Sequence, residues 1–125
     1  MPLKQATTTN QIVLDKKGNE MKKIINGLRY DTEKAVLIGK YSTPGLGMSD
    51  FNYWEAGLYK TPRSGAFFLA GAGHAMTMFG STEGNSRGWG EKLSPMSREE
   101  SLKWAEQYLD ADIIEEHFGD DIKDA

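Results

Sequence analysis

The stretch from Phe51 to Gly73, FNYWEAGLYKTPRSGAFFLAGAG, constrains the fold more than any other part of the chain, because two apolar runs flank a turn signal. Pro62 has its φ preset and Gly65 tolerates positive φ, so Pro62-Arg63-Ser64-Gly65 can reverse the chain. Leu58-Tyr59-Lys60-Thr61 before it and Ala66-Phe67-Phe68-Leu69 after it read as the strands of a β-hairpin. Side chains alternate across a strand, so the adjacent Phe67 and Phe68 must face opposite sides of the sheet. Either both faces are covered, or one carries an exposed ring for a partner. Six of the thirteen aromatic residues lie between positions 51 and 68, which fits core and cross-strand packing. A stacking platform for bases is the alternative, but no paired aromatic signature of an RNA-recognition domain accompanies it.

A chain of 125 residues has room for one domain and buries about two thirds of its unfolded surface. Fourteen glycines imply many turns or close backbone approaches. The absence of cysteine excludes disulfides and thiolate metal sites and fits a reducing cytoplasm. No apolar run reaches the length of a membrane span, so the expected location is cytoplasmic.

The net charge of −3 hides a gradient. Residues 1–40 carry eight basic and four acidic side chains, residues 41–96 four of each, and residues 97–125 three basic and ten acidic. Such polarity steers a partner of opposite charge or lets copies associate head to tail; its plainer meaning is a solvated acidic helix.

Residues 1–20 read as a weakly structured extension, 21–119 as a single domain and 120–125 as a frayed acidic tail. Ile24-Ile25 and Leu28-Arg29-Tyr30 flank Asn26-Gly27, the pair that type I′ hairpin turns require. Asp31 or Thr32 is placed to cap a short helix carrying Ala35, Val36, Leu37 and Ile38 and ending at Gly39. Residues 41–47 lead into the central hairpin as a loop, and residues 80–90 form a glycine-rich surface loop. Arg87 and Trp89, of types enriched at interface hot spots, are its two energetic side chains, unless Trp89 folds back on the core. Ser97 and Glu100 make a capping box for a helix whose apolar side is Leu102, Trp104, Ala105, Tyr108 and Leu109. Asp110 then caps a second short helix, with Ile113, Ile114 and Phe118 apolar and Gly119 closing it.

Candidate chemistry is sparse. With two histidines and no cysteine, no transition-metal centre is expected, and no cofactor. Gly47-Met48-Ser49-Asp50-Phe51 begins like a nucleophile elbow but ends in Phe where glycine is needed. The pairs Gly45/Gly47, Gly71/Gly73 and Gly88/Gly90 lack the third glycine and following helix that cradle a phosphate. His74 could act as an acid–base residue only with a carboxylate such as Asp50 or Glu55 to set its tautomer. Glu55, inside the aromatic cluster, must point to solvent or pair with Arg63, Arg29 or a lysine, because burying it alone is costly.

Ile25-Asn26-Gly27-Leu28-Arg29-Tyr30-Asp31-Thr32-Glu33, Ser49-Asp50-Phe51 with Trp54-Glu55, Leu58-Tyr59-Lys60-Thr61 with Gly65, Phe67-Phe68-Leu69 with Gly71, Gly90-Glu91-Lys92 and Trp104-Ala105-Glu106 carry a resemblance. From Met21 onward the chain resembles a family of small proteins of plasmids, phages and other mobile elements of Gram-positive bacteria. It departs from that family at Gly71-Ala72-Gly73-His74, where a more acidic, glycine-paired stretch is expected. The family brings no established catalytic residues; the resemblance implies mobile-element biology, where small acidic proteins act as anti-CRISPR or antirestriction inhibitors.

The expected fold is α+β, a small antiparallel sheet of about four strands packed by the C-terminal helix and the short helix after Tyr30. The expected function is non-catalytic binding to a host protein complex, a CRISPR effector or restriction enzyme, in which the acidic C-terminal region meets a Lys/Arg-lined channel. The candidate contact residues are Tyr53, Trp54, Glu55, Arg63, Arg87, Trp89, Glu115, Glu116, Asp120 and Asp121. The alternative is a nucleic-acid-binding module, which would need Lys22, Lys23, Arg29, Lys34 and Lys40 on one face. An enzyme built on Glu55 and His74 would need one pocket holding both.

Overall fold

The structure is a computed structural model that describes residues 21–83 and 86–125; the extension expected at 1–20 lies outside them. Asn26 and Gly27 adopt φ of 53° and 80°, the paired positive values that a type I′ turn demands. They join β1 (Lys22–Ile25) to β2 (Leu28–Asp31), with Ile25 opposite Leu28 and Lys23 opposite Tyr30.

The helix expected after Tyr30 does not form. Asp31 closes a single turn instead: its carbonyl accepts from the amides of Lys34 and Ala35, and its Oδ1 from the amide of Glu33. The chain then extends as β3 (Val36–Ser42), paired antiparallel with β4 (Trp54–Lys60). Val36 and Ile38 have weak helix propensity, and ladder pairing with β4 decides in favour of the strand. A bulge shifts the register between Leu37 and Gly39. Gly39 lies against Leu109, whose side-chain carbons would be 2.8 Å from an added Cβ.

The central hairpin forms and is longer than the turn-flanking residues alone imply. β4 and β5 (Phe67–Gly73) pair from Lys60↔Phe67 to Trp54↔Gly73. Gly65 takes φ 71°, and Thr61 Oγ1 accepts from the amide of Ala66 at 2.9 Å to lock the turn.

Residues 80–90 are not one irregular loop. β6 (Ser81–Glu83) and β7 (Ser86–Gly88) pair in a short hairpin, and β8 (Gly90–Met96) lies on the free side of β5. The four-stranded sheet has the order β3-β4-β5-β8, antiparallel throughout. As an edge strand β8 tolerates Pro95, which has no amide hydrogen to donate, and a largely polar sequence.

Helix α1 (Arg98–Tyr108) begins with the expected capping box: Ser97 Oγ accepts from the amide of Glu100 at 3.0 Å, and Glu100 Oε1 accepts from the amide of Ser97 at 2.8 Å. Asp110 occupies the N-cap of α2 (Ala111–Phe118) without a side-chain hydrogen bond, and Gly119 ends it in right-handed rather than left-handed geometry. A 3₁₀ turn over Gly119–Asp121 follows. There the acidic tail is tied down, since Arg98 Nε donates to Asp121 Oδ2 at 2.7 Å.

Both faces of the sheet are covered at the Phe67/Phe68 end. On one, Ile38, Leu58 and Phe67 pack against Ala105, Ile114 and Phe118 of the helices. On the other, Tyr59, Phe68, Ala70 and Leu93 pack under Tyr30, with Ile25 and Ala35 alongside. Phe67 stacks on Phe118 at 5.4 Å, while Phe68 stacks on Tyr59 at 5.2 Å. Leu58, Phe68 and Phe118 are fully buried, each contributing roughly 1.5–3 kcal/mol of hydrophobic free energy.

Candidate functional site

Among the described residues, the β1–β2 hairpin shields only one end of the sheet face turned away from the helices. Toward the Trp54/Gly73 end, the residues of β4 and β5 on that face other than Glu55 shrink to Gly57, Ala70 and Ala72. A groove of about 220 Å³ opens above them, bordered by Tyr53, Tyr59, Glu55, Lys40, Ser42 and Met21. Its existence follows from side-chain size: glycine and alanine on two adjacent strands cannot fill the layer that Tyr59 and Phe68 fill beside them. The Tyr59 ring leans over Gly57, where an added Cβ would lie 2.9 Å from Tyr59 Cε1.

Glu55 stands in the middle of this face. Two-residue periodicity puts Tyr53, Glu55, Gly57 and Tyr59 on the same side of the strand, and the Tyr53 hydroxyl donates to Glu55 Oε1 at 2.7 Å. Burial, followed by this hydrogen bond and the Glu55 charge, pushes the Tyr53 hydroxyl up to about 12, with a Ser42 hydrogen bond acting in the opposite direction. Burial first and the same carboxylate second also raise Tyr59. Both phenols therefore remain hydrogen-bond donors at physiological pH and cannot serve as bases. Across the sheet, Ser42, Glu55, Ala72 and Glu91 form one cross-strand row, which places Glu91 two strands from Glu55 on the same side, about 10 Å away. Among the described residues that line the groove, Lys40 is the basic one.

Beyond Tyr53 the aromatic array continues. Trp89 stacks on Tyr53 with 6.1 Å between ring centroids, His74 meets Trp89 edge-on at 6.1 Å, and Phe51 lies against His74 at 4.9 Å. Trp89 thus folds back toward the sheet and is half-buried. His74 Nδ1 accepts from the amide of Ala75 at 2.8 Å, and His74 is absent from the groove lining that contains Glu55. Phe51, Met48, Met76 and Met78 are exposed on the loops at this end, with Met76 held to Phe51 by a 2.9 Å backbone hydrogen bond.

The remaining candidates are dispersed. Trp54 faces the helices and is half-buried, edge-on to Tyr108 at 5.2 Å and near Tyr41 at 5.1 Å. Arg63 is exposed in the β4–β5 turn, at the far end of the hairpin from Glu55, and Arg87 is exposed on β7. Glu115, Glu116 and Asp120 are exposed beyond the helix layer, and Asp121 is engaged by Arg98. The structure thus brings Tyr53, Glu55 and Trp89 together and leaves the acidic group on another face of the molecule. Tyr59, Ser42 and Glu91 join the first group and were not among the contact residues expected from the sequence; Lys40 joins it too, having been named there only as one of five cations of a nucleic-acid-binding face. The alternation Tyr53, Glu55, Gly57, Tyr59 was the available signal for the first of these.

The cations expected on a nucleic-acid-binding face do not all project from one side. Lys22 and Arg29 project from one side of the β1–β2 hairpin and Lys23 from the other, while Lys40 borders the groove. Among the described residues, no three His, Asp or Glu side chains are placed to hold a metal ion, and no helix is long and apolar enough to cross a membrane. Comparisons with protein-family models, curated proteins and solved structures find no match to this chain.

Proposed function

We propose that this chain is a cytoplasmic, non-catalytic binding protein of a mobile genetic element, which blocks a nucleic-acid-handling defence complex of its host through protein–protein contact. The observation that supports this reading most is the state of the carboxylates in residues 97–125. Of the ten, only Asp121 pairs with a charged side chain among the described residues, that of Arg98, while Glu116 lies 3.9 Å from His117 Nε2, an ion pair only when the imidazole is protonated. Helix α2 buries Ile114 and Phe118 and turns Asp112, Glu115 and Glu116 outward. Uncompensated like charges repel one another in the free protein, and a Lys/Arg-lined surface relieves that repulsion on binding. A channel that normally grips nucleic-acid phosphates is such a surface. The resemblance to mobile-element proteins supplies the biological setting.

The test is a charge reversal that leaves the Arg98–Asp121 pair intact. The tagged wild-type chain is expected to recover a CRISPR effector or restriction complex from nuclease-treated host lysate and to inhibit its DNA cleavage. The triple variant Glu115→Lys, Glu116→Lys, Asp120→Lys is expected to lose both. Undiminished inhibition by the variant, or recovery of nucleic acid alone that vanishes in high salt, would overturn the proposal.

A further inference from the structure

The β1–β2 hairpin and helix α2 lie on opposite faces of the sheet. Tyr30 packs the hairpin onto Tyr59, Phe68 and Leu93, while Ile114 and Phe118 pack α2 onto Ile38, Leu58 and Phe67. The charge gradient along the chain thereby becomes a gradient through the sheet, with the cations of β1 and β2 outside one face and the carboxylates of α2 outside the other. We infer that copies of this chain associate face to back, the outer side of one hairpin seated on the acidic α2 side of the next copy. That acidic side is the one proposed above to meet a host complex, but self-association follows from the charge of the two sides and does not depend on the host target.

Three features select a second copy as the occupant. The first is the hairpin. Strand alternation turns Tyr30 toward the sheet and Lys22, Ile24 and Arg29 away from it, with Ile24 opposite Arg29 in the ladder. Ile24 is 68% exposed there, an aliphatic centre beside two cations. Among the hairpin residues Asp31, opposite Lys22, is the one carboxylate of that side, and its Oδ1 accepts from the Glu33 amide. The second is the acidic side. Asp112, Glu115 and Glu116 stand three and four positions apart on the exposed side of α2, a helix with no lysine or arginine. Exposed Asp120 and Ile122 follow it, so an aliphatic side chain stands among carboxylates as Ile24 stands among cations. The third is separation. The sheet and both core layers stand between the two sides, so their charges cannot meet within one chain and are matched only by another molecule.

The contact pairs unlike surfaces, so each assembly keeps one unmatched hairpin and one unmatched acidic side at its ends. It therefore grows with concentration rather than stopping at a symmetric dimer. It also occupies Glu115 and Glu116, which sets self-association in competition with any cationic partner of that side.

The experiment is sedimentation velocity of the purified full-length chain over a range of concentrations, at about 0.01 M and about 1 M salt, where the screening length is about 30 Å and about 3 Å. The average mass is expected to rise with concentration at low salt and to stay at that of the monomer at high salt. Arg29→Glu with Lys22→Gln is expected to weaken association about tenfold or more, the scale of one lost charge-assisted contact. Glutamine is used at position 22 because a carboxylate there would stand opposite Asp31. Arg87→Glu with Lys92→Gln makes the same change in net charge on β7 and β8 and is expected to associate as wild type does. Glu115→Lys with Glu116→Lys is expected to associate weakly alone. Mixed with the hairpin variant it is expected to associate again, since one chain then supplies a native hairpin and the other a native acidic side. A wild-type chain that stays monomeric at low salt, association that survives 1 M salt undiminished, or a mixture that stays monomeric would overturn the inference. So would a loss in the Arg87/Lys92 control as large as in the hairpin variant. Host cleavage left untouched by the wild-type chain would count against the function proposed above and not against this association.

Discussion

The Tyr53 hydroxyl and the Glu55 carboxylate, two residues apart and on the same side of the chain, meet at 2.7 Å on the sheet face turned away from the helices. This bond joins the aromatic array of Tyr53, Trp89, His74 and Phe51 to the charged centre of the groove. It also links the protonation of the phenol to the fold. With Tyr53 raised to about 12 against an ordinary value near 10, the unfolded chain loses this proton first as pH rises. The stability contributed by the protonated phenol is present below the ordinary value and is lost between there and about 12. In Glu55→Gln, ultraviolet titration is expected to show Tyr53 and Tyr59 ionising at lower pH than in wild type, because both lose a negative neighbour. Superimposable titration curves would show that burial alone sets them.

Gly71 permits the Phe79 ring to approach the sheet on the helix-bearing side. An added Cβ would collide with Phe79 Cζ and stand 2.9 Å from the Glu55 carbonyl oxygen. The ring can move but the backbone of β4 cannot, so Gly71→Ala is expected to cost about 1–3 kcal/mol, the usual range for overpacking. Urea denaturation measures this; a loss under about 0.5 kcal/mol would mean that Phe79 swings aside freely.

The two helices offer a comparison between two N-caps of different construction. Ser97→Ala removes the hydroxyl that accepts from the Glu100 amide and is expected to destabilise the protein by about 1 kcal/mol. Asp110 makes no side-chain capping bond, so Asp110→Ala retains all but the interaction of its charge with the helix dipole, on the order of 0.3–1 kcal/mol. Denaturation midpoints that rank Asp110→Ala as the more damaging change would refute this assignment.

Arg98 holds the chain end in two ways. It bonds Asp121, and its guanidinium lies over the rings of Phe118 at 5.4 Å and Phe67 at 5.8 Å. Asp121→Ala breaks a half-exposed ion pair and is expected to cost under about 1 kcal/mol. Arg98→Ala also uncovers the rings and is expected to cost more, in the order of 1–2 kcal/mol. Raising the salt concentration is expected to shrink the cost of Asp121→Ala more than that of Arg98→Ala. Equal costs at every salt concentration would assign the whole effect to the ion pair.

Local chemistry was sufficient for the parts of this fold that were legible in the chain. Asn26-Gly27 implied its turn because few other residue pairs tolerate two consecutive positive φ values; Ser97 and Glu100 implied the start of α1 because their side chains complete the first helical turn unaided. The opposition of Phe67 and Phe68 followed from strand geometry, and with it the need for cover on both faces. By contrast, Ala35-Val36-Leu37-Ile38 looked helical in isolation because an acidic cap precedes it and Gly39 follows its apolar run. Only pairing with β4 makes it a strand. β8 was invisible for a related reason: an edge strand needs one partner and few apolar residues, so Glu91, Lys92 and Pro95 hide it. The groove depends on both kinds of information. The sequence by itself placed only Leu58-Tyr59-Lys60-Thr61 in the strand; once β4 is seen to start at Trp54, side-chain alternation puts Tyr53, Glu55, Gly57 and Tyr59 on one face. Tertiary structure alone decided that the neighbouring strand would supply Ala70 and Ala72 as a shallow floor, and that the β1–β2 hairpin would stop short of them. Register and coverage are set by the packing of whole elements, which no short segment encodes.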